Sequence, residues 1–280
     1  MSKKSKKKKN RLRKLFFIVI LIIVLSVLYA RYVGIKNIFV KSYIIKDKDL
    51  PSSFNNLKIV HFSDIHYGNT TDMNDIKELV NKINDKKPDI VIFTGDLFDK
   101  NYLIKDEDNK NMVNELSKIS SIYGCYYVNG EDDLKNKNFD QVLQDSNFIS
   151  LNDINVDITS KKNESIILSG ISYNNNNSNF LESINNYDYK IFVLHKPDEF
   201  DEFSAYDFNL ALAGHSHNNQ INIPYIKKLY SMKGAKKYYE PFYKINNTNF
   251  YISSGIGTSD YKFRLFNNPS FNVYTIKNII

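Results

Sequence analysis

The sequence predicts an α/β layered domain behind a single apolar N-terminal segment, and three observations carry that prediction. Short apolar, β-rich runs alternate with helix-period patterns from about Phe39 to the end. Polar, chemistry-bearing residues gather just after those runs, where α/β sheets place their sites. Beyond the segment that begins at Leu15, every apolar run is strand-sized.

Taken in order, residues 1–14 carry nine Lys/Arg and no acid, and residues 15–30 are apolar apart from Ser26 and the amphipathic Tyr29. That stretch, if helical, is about 24 Å long at 1.5 Å per residue, short of a hydrocarbon core of about 30 Å. A snorkelling Arg31 and continuation to Ile35 close the gap. A secretory signal shares the basic start, but cleavage after Ala30 would put bulky Leu28 where a small residue belongs. The expected organisation is a basic cytoplasmic tail (1–14), a transmembrane anchor (15–35) and one folded domain (37–280). Only Arg31, Lys36 and Lys41 follow closely after the span, so the positive-inside bias leaves the domain extracytoplasmic at the cell membrane.

Residues 57–63 read as a buried strand, and Ile76, Leu79, Val80 and Ile83 then recur at helical spacing before Pro88. Residues 89–94 form a second buried strand, completing a βαβ unit whose strands both lead into acidic residues. Met112, Val113, Leu116 and Ile119 mark another helix, followed by a strand at 125–128. Further strands are expected at 165–170, 189–194, 209–213, 250–253 and 271–276.

Charge excludes one function class. The formal charge of +7 belongs to the tail: taking its nine cations from the chain's 38 leaves 29 against 31 acidic residues. The body has no global electrostatic reason to bind nucleic acid. Cys125 is the sole cysteine, which rules out an intrachain disulfide and reads as a small buried strand residue. The aromatic cluster Tyr238, Tyr239, Phe242 and Tyr243 reads as strand and core positions.

Five motifs fall at strand ends: Asp64-Ile65-His66, Gly95-Asp96-Leu97-Phe98-Asp99, Gly130-Glu131-Asp132-Asp133, His195-Lys196-Pro197 and Gly214-His215-Ser216-His217. Four of the chain's five histidines lie in them. One histidine after a strand is ordinary, but carboxylates and imidazoles in this series are the donor set that divalent ions such as Mn²⁺, Fe²⁺ or Zn²⁺ require.

In order, spacing and glycines, the series resembles the calcineurin-like metallophosphoesterases, in particular their membrane-anchored bacterial branch, over roughly residues 40–280. The resemblance implies a two-sheet β-sandwich flanked by helices, with two divalent ions (Mn²⁺, Zn²⁺ or Fe²⁺) at one sheet edge. Asp64, His66, Asp96 and His217 would hold the first ion, His195 and His215 the second, and Asp96 would bridge them; Asp99 would support its loop. The segment 255–259, with Arg264 and Pro269 beyond it, also resembles the end of that branch. The implied chemistry is hydrolysis of a phosphomonoester, phosphodiester or pyrophosphate by water that the ions acidify, without a covalent intermediate. The expected substrate is a phosphorylated small molecule or a lipid-linked one, and the expected state is a monomer with no nucleic-acid partner.

Two departures stand out. Where the family has Gly-Asn-His, this chain has Gly130-Glu131-Asp132. Glu131 still offers an oxygen to the second ion. Asp132 takes the place of a histidine that assists the leaving group, and donates a proton only if its pKa is raised; Glu131 favours that and two cations oppose it. Asp132 and Asp96 are therefore the catalytic expectation and Glu131 a metal ligand. The alternative is a metal-holding but catalytically silent domain that binds a phosphorylated ligand or protein partner at the membrane surface. Asn218 and Asn219 replace two glycines, a change that a positive-φ turn tolerates.

Overall fold

No glycine or proline interrupts residues 3–33, so nothing local stops a helix there. The computed structural model describes residues 3–175, 177–223 and 233–279, with side chains from residue 7 onward. In it the basic run and the apolar run form one helix, α1 (Lys3–Leu28), continued by a wider π-type turn over Tyr29–Val33. Within Lys7–Val33 an 18-residue stretch has mean hydropathy 2.5, and the helix is long and apolar enough to cross a membrane.

The domain that follows is built on two mixed sheets. The first contains β1 (Phe39–Asp47), β2 (Leu57–Phe62), β3 (Ile90–Phe93), β4 (Cys125–Tyr127), β5 (Phe148–Ser150) and the C-terminal strand β12 (Ser270–Asn278). Their order is β1-β12-β2-β3-β4-β5, with β2 to β5 parallel. The second contains β6 (Ile154–Thr159), β7 (Ser165–Gly170), β8 (Lys190–Val193), β9 (Leu210–Ala213), β10 (Phe242–Ile245) and β11 (Thr248–Ile252). It runs β10-β11-β9-β8-β7-β6, and β7, β8, β9 and β11 are parallel. The expected two-sheet architecture flanked by helices is present.

Strands buried on both faces explain the uninterrupted apolar runs. Between the sheets, Ile59, Ile90 and Ile92 of the first pack with Leu168, Ile191 and Leu212 of the second. The outer face of the first sheet is covered by α2 (Met73–Asp85), α3 (Asp106–Leu116) and α4 (Phe139–Asp145). The stripe Ile76, Leu79, Val80, Ile83 is the buried face of α2, and the helix starts in a capping box: Asp72 accepts from the Asn74 and Asp75 amides while Asp75 accepts from the Asp72 amide. Phe200 and Phe203, in the short α5 (Phe200–Phe203), close the outer face of the second sheet.

Strands β2, β3, β4, β8 and β9 each end one to three residues before one of the five motifs. Parallel pairing within each sheet therefore delivers all five to one edge of the sandwich. Of the unforeseen elements, α4, α5 and β5 are short, and β1, β6 and β10 are half-buried or exposed along most of their length, so none has the continuous apolar run that marks the central strands.

Candidate metal centre

Backbone shape sets the site. Asp64, His66, Asp96, His215 and His217 all have positive φ, between 45° and 65°. Non-glycine residues rarely adopt that region, and it costs about 1–3 kcal/mol each unless the surroundings enforce it. Here backbone bonds between loops do so: the Asp64 amide donates to Gly95 O at 2.9 Å, His66 to Asp96 O at 3.1 Å, and Gly257 to Asp64 O at 2.7 Å. Gly130 is required by close approach, because a Cβ there would meet the Asp96 carboxylate and the His195 ring.

These turns bring Asp64, His66 and His217 into one buried group, Asp96, His195 and His215 into a second, and His66, Asp96 and Asp132 into a third. His66 Nε2 lies 3.3 Å from His217 Nε2 and 3.7 Å from Asp96 Oδ2, and His195 Nε2 lies 3.3 Å from that same carboxylate oxygen and 3.2 Å from His215 Nδ1. The ring nitrogens turned away are held from behind. His195 Nδ1 is 2.6 Å from Thr94 O, and His215 Nε2 is 2.7 Å from Lys233 O. Each carbonyl accepts the proton of that nitrogen, so the inward nitrogen is the one that a cation would meet once its own proton is displaced.

Burial disfavours an imidazolium at His195, but Asp96 and then Asp64 outweigh it and push its pKa up to about 10. At His66 burial is likewise outweighed, by Asp132 and Asp96, giving about 8. Burial and the neighbouring His195 push His215 down to about 4, and burial, His66 and Arg264 depress His217 well below the usual range. Among the protein's own groups, then, the positive charge facing these carboxylates sits on His195 and His66. Buried carboxylates, two neutral imidazoles and a His66 Nδ1 with no hydrogen-bond partner among the described residues form a donor set that suits divalent cations.

The fourth motif residue, Asp133, is structural: it accepts from the amides of Asp96 (2.7 Å), Leu97 (2.9 Å) and Gly130 (2.8 Å), tying the β4 loop to the β3 loop. Its neighbour Asp132 lies 3.5 Å from His66 Nδ1 and 3.2 Å from the Lys135 ammonium. Glu131 is exposed and outside the three groups, on the side of Tyr173, over whose ring the Lys196 ammonium sits at 3.9 Å. Asp99 accepts from the Asn101 amide at 3.0 Å within its own loop.

Several supporting residues escape a motif reading. Ser63 donates to Asp64. Arg264, fully buried, donates to the carbonyls of Ser254, Gly255 and Gly257 and reaches within 3.3 Å of His217 Nδ1. Asn267 donates to the carbonyls of His217, Asn218 and Asn219, spanning the turn in which Asn218 and Asn219 take φ of 48° and 55°. A buried arginine far along the chain has no local sequence signal; only its place beyond the Gly255–Ser259 segment hinted at a role.

The family model of the calcineurin-like phosphoesterases matches residues 57–219, more than half of the chain and every motif above. The chain belongs to that family. Membership supports a phosphoesterase-type hydrolase. The chain is 26% identical over 262 residues to the uncharacterized metallophosphoesterase YkuE of Bacillus subtilis, the match covering 89% of each chain. It is 27% identical over 228 residues to a transmembrane protein with metallophosphoesterase domain of Bos taurus, spanning 74% of this chain and 50% of that protein. A purple acid phosphatase from yellow lupin seeds aligns with a TM-score of 0.42 and 11% identity, over 79% of this chain and 54% of that one.

Proposed function

We propose that the chain is a membrane-anchored hydrolase of phosphate esters with a two-ion centre. Asp64, His66, Asp96 and His217 hold one ion; His195, His215, Asp96 and Glu131 hold the other. The observation that carries this reading is the pair of adjacent buried Asp/His groups at one sheet edge, with Asp96 Oδ2 within 3.7 Å of His66 and 3.3 Å of His195. Divalent ions such as Mn²⁺, Zn²⁺ or Fe²⁺ bound there supply charge neutralisation for phosphoryl oxygens and acidify water.

The chain's own groups do the rest. Thr94 and Lys233 fix the rings of His195 and His215 through their carbonyls, and Asp133 holds the backbone that presents Asp96. Asp132, paired with Lys135 and facing His66, is assigned to orienting that ring beside the departing oxygen. The helix spans the cell membrane with residues 1–14 in the cytoplasm, and the 37–280 domain works outside as a monomer. The silent alternative has one observation in its favour, the exposure of Glu131 away from the ligand groups.

The test uses the full chain in detergent, stripped with chelator and restored with Mn²⁺, Zn²⁺ or Fe²⁺, on p-nitrophenyl phosphate and bis-p-nitrophenyl phosphate. Metal-dependent turnover that Asp96→Asn abolishes is expected. If metal binds and only a Glu131→Asn/Asp132→His chain turns over, the natural protein is the silent binder.

A further inference from the structure

Between His195 and Pro197 stands a lysine that the chemistry above does not use. Lys196 is 8% exposed, and a cation that buried is stable only with partners. It has three: its ammonium lies 3.1 Å from Glu199 Oε1, donates to Asn174 Oδ1 at 2.7 Å, and sits 3.9 Å from the centre of the Tyr173 ring. Glu199 is on the loop of Lys196 itself, whereas Tyr173 and Asn174 are on the loop that leaves β7. Strands β7 and β8 are parallel neighbours, so both loops leave the sheet at the edge that carries the metal centre.

Tyr173 in turn is set against the second ligand group. Its ring centre is 6.1 Å from that of His195 with the planes at 62°, an edge-to-face contact. Its amide donates to Asn129 Oδ1 at 2.9 Å, which ties it to the loop that presents Glu131, and Glu131 lies on the side of Tyr173. The stem of the lysine serves the other histidine. A Cβ on Gly234 would come within 2.8 Å of Lys196 Cδ and 3.0 Å of its Cγ, so the stem packs directly on that turn. The carbonyl of the preceding residue, Lys233, is the one that holds His215 Nε2. The groups that Lys196 and Tyr173 reach are therefore His195, His215 and Glu131, those assigned to the second ion alone, and none of these contacts leads to Asp64, His66 or His217.

We infer that Lys196 is the positioning residue of the second ion: its ammonium holds Tyr173 against His195, and its stem supports the turn whose Lys233 carbonyl fixes His215. The inference rests on the two-ion reading above. Lys196 touches neither substrate nor ion in this role. It acts through the two rings, by keeping their inward nitrogens at a fixed separation, so its removal costs affinity at one ion and leaves the other as it was.

The test titrates chelator-treated full-length protein in detergent with Mn²⁺ by calorimetry, the second ion being the one that His215→Ala abolishes. Lys196→Met keeps a stem of similar length and removes the ammonium; it should raise the Kd of the second ion about tenfold or more, as outer-shell partners do, and move the first by less than about twofold. Lys196→Arg, which keeps a cation for the Tyr173 ring, should bring the second Kd back to within about threefold of the natural chain. Tyr173→Leu should weaken the same ion, and the double variant Lys196→Met/Tyr173→Leu should lose less than the product of the two single losses, because the pair acts as a unit. Equal losses at both ions, as general loosening of the fold would give, or no rescue by arginine would overturn the inference and leave the two-ion reading standing. If Lys196→Met does not fold, Tyr173→Leu decides alone, and an unchanged second Kd there overturns the inference. A natural chain that binds one ion would overturn the two-ion reading and the inference together.

Discussion

On one flank of the centre Asp64, Asp96 and four histidines are at most 3% exposed, and carbonyls, amides and hydroxyls grip them from behind; on the other, Glu131 is exposed and the Lys135 side chain is 58% exposed. The buried flank keeps Asp64, Asp96 and the four histidines that the family resemblance assigns to it, while the departures fall at exposed Glu131 and at its neighbour Asp132, whose side chain turns inward to His66. A side chain packed on all sides cannot change without leaving a buried partner unpaired, whereas a residue at the mouth changes what is bound at small cost to the fold. The comparison teaches that this chain keeps the buried candidate ligands of the family pattern and departs from that pattern at an exposed position and its neighbour.

The widest separation between the flanks comes from removing one ligand from each. Asp64→Asn is expected to lower metal-dependent turnover of p-nitrophenyl phosphate by about a thousandfold or more, beyond the 10- to 100-fold typical of an outer-shell partner. Glu131→Ala should cost about tenfold or less; equal losses at both positions would erase the distinction. Next in size is Glu131→Asn/Asp132→His, which restores the family pattern. Recovery of general-acid help should raise turnover, and about 10²-fold is the low end of its usual contribution.

Asp133 sits where the flanks are joined. Asp133→Ala leaves three buried amides without an acceptor, each loss costing about 1–3 kcal/mol. Urea unfolding should show a destabilisation of about 3 kcal/mol or more, with Asp132→Ala well below that. A further effect, confined to acid pH and absent at neutrality, concerns His61, the one histidine outside the site, buried in β2 between Tyr274 and Thr94. Burial pushes it down to about 3 from an ordinary 6.5. The folded state therefore binds this proton less readily than the unfolded chain. Its stabilising contribution is complete above about pH 6.5 and is lost as pH falls from there toward 3, at up to about 1.4 kcal/mol per pH unit. His61→Gln should flatten that part of the stability profile.

The legible parts of the molecule share a cause. Central strands such as β3 and β8 are buried on both faces, so their apolar runs announce them, and the helical stripe of α2 does the same. Asp64, His66, Asp96, His195, His215 and His217 were legible because each follows such a strand. Asn267 and Lys233 were not, and Arg264 was visible only by its place in the tail, since all three reach the site through long-range bonds that no local pattern encodes. The exposure of Glu131 was also hidden, because motif position locates a Cα and not the direction of a long side chain.

The most direct test of the central claim is a metal count. Chelator-treated full-length protein, titrated with Mn²⁺ and followed by calorimetry alongside p-nitrophenyl phosphate turnover, should bind two ions per chain, with turnover appearing as the second site fills and His215→Ala binding only one. A single ion per wild-type chain, or turnover that persists in chelator, would contradict it.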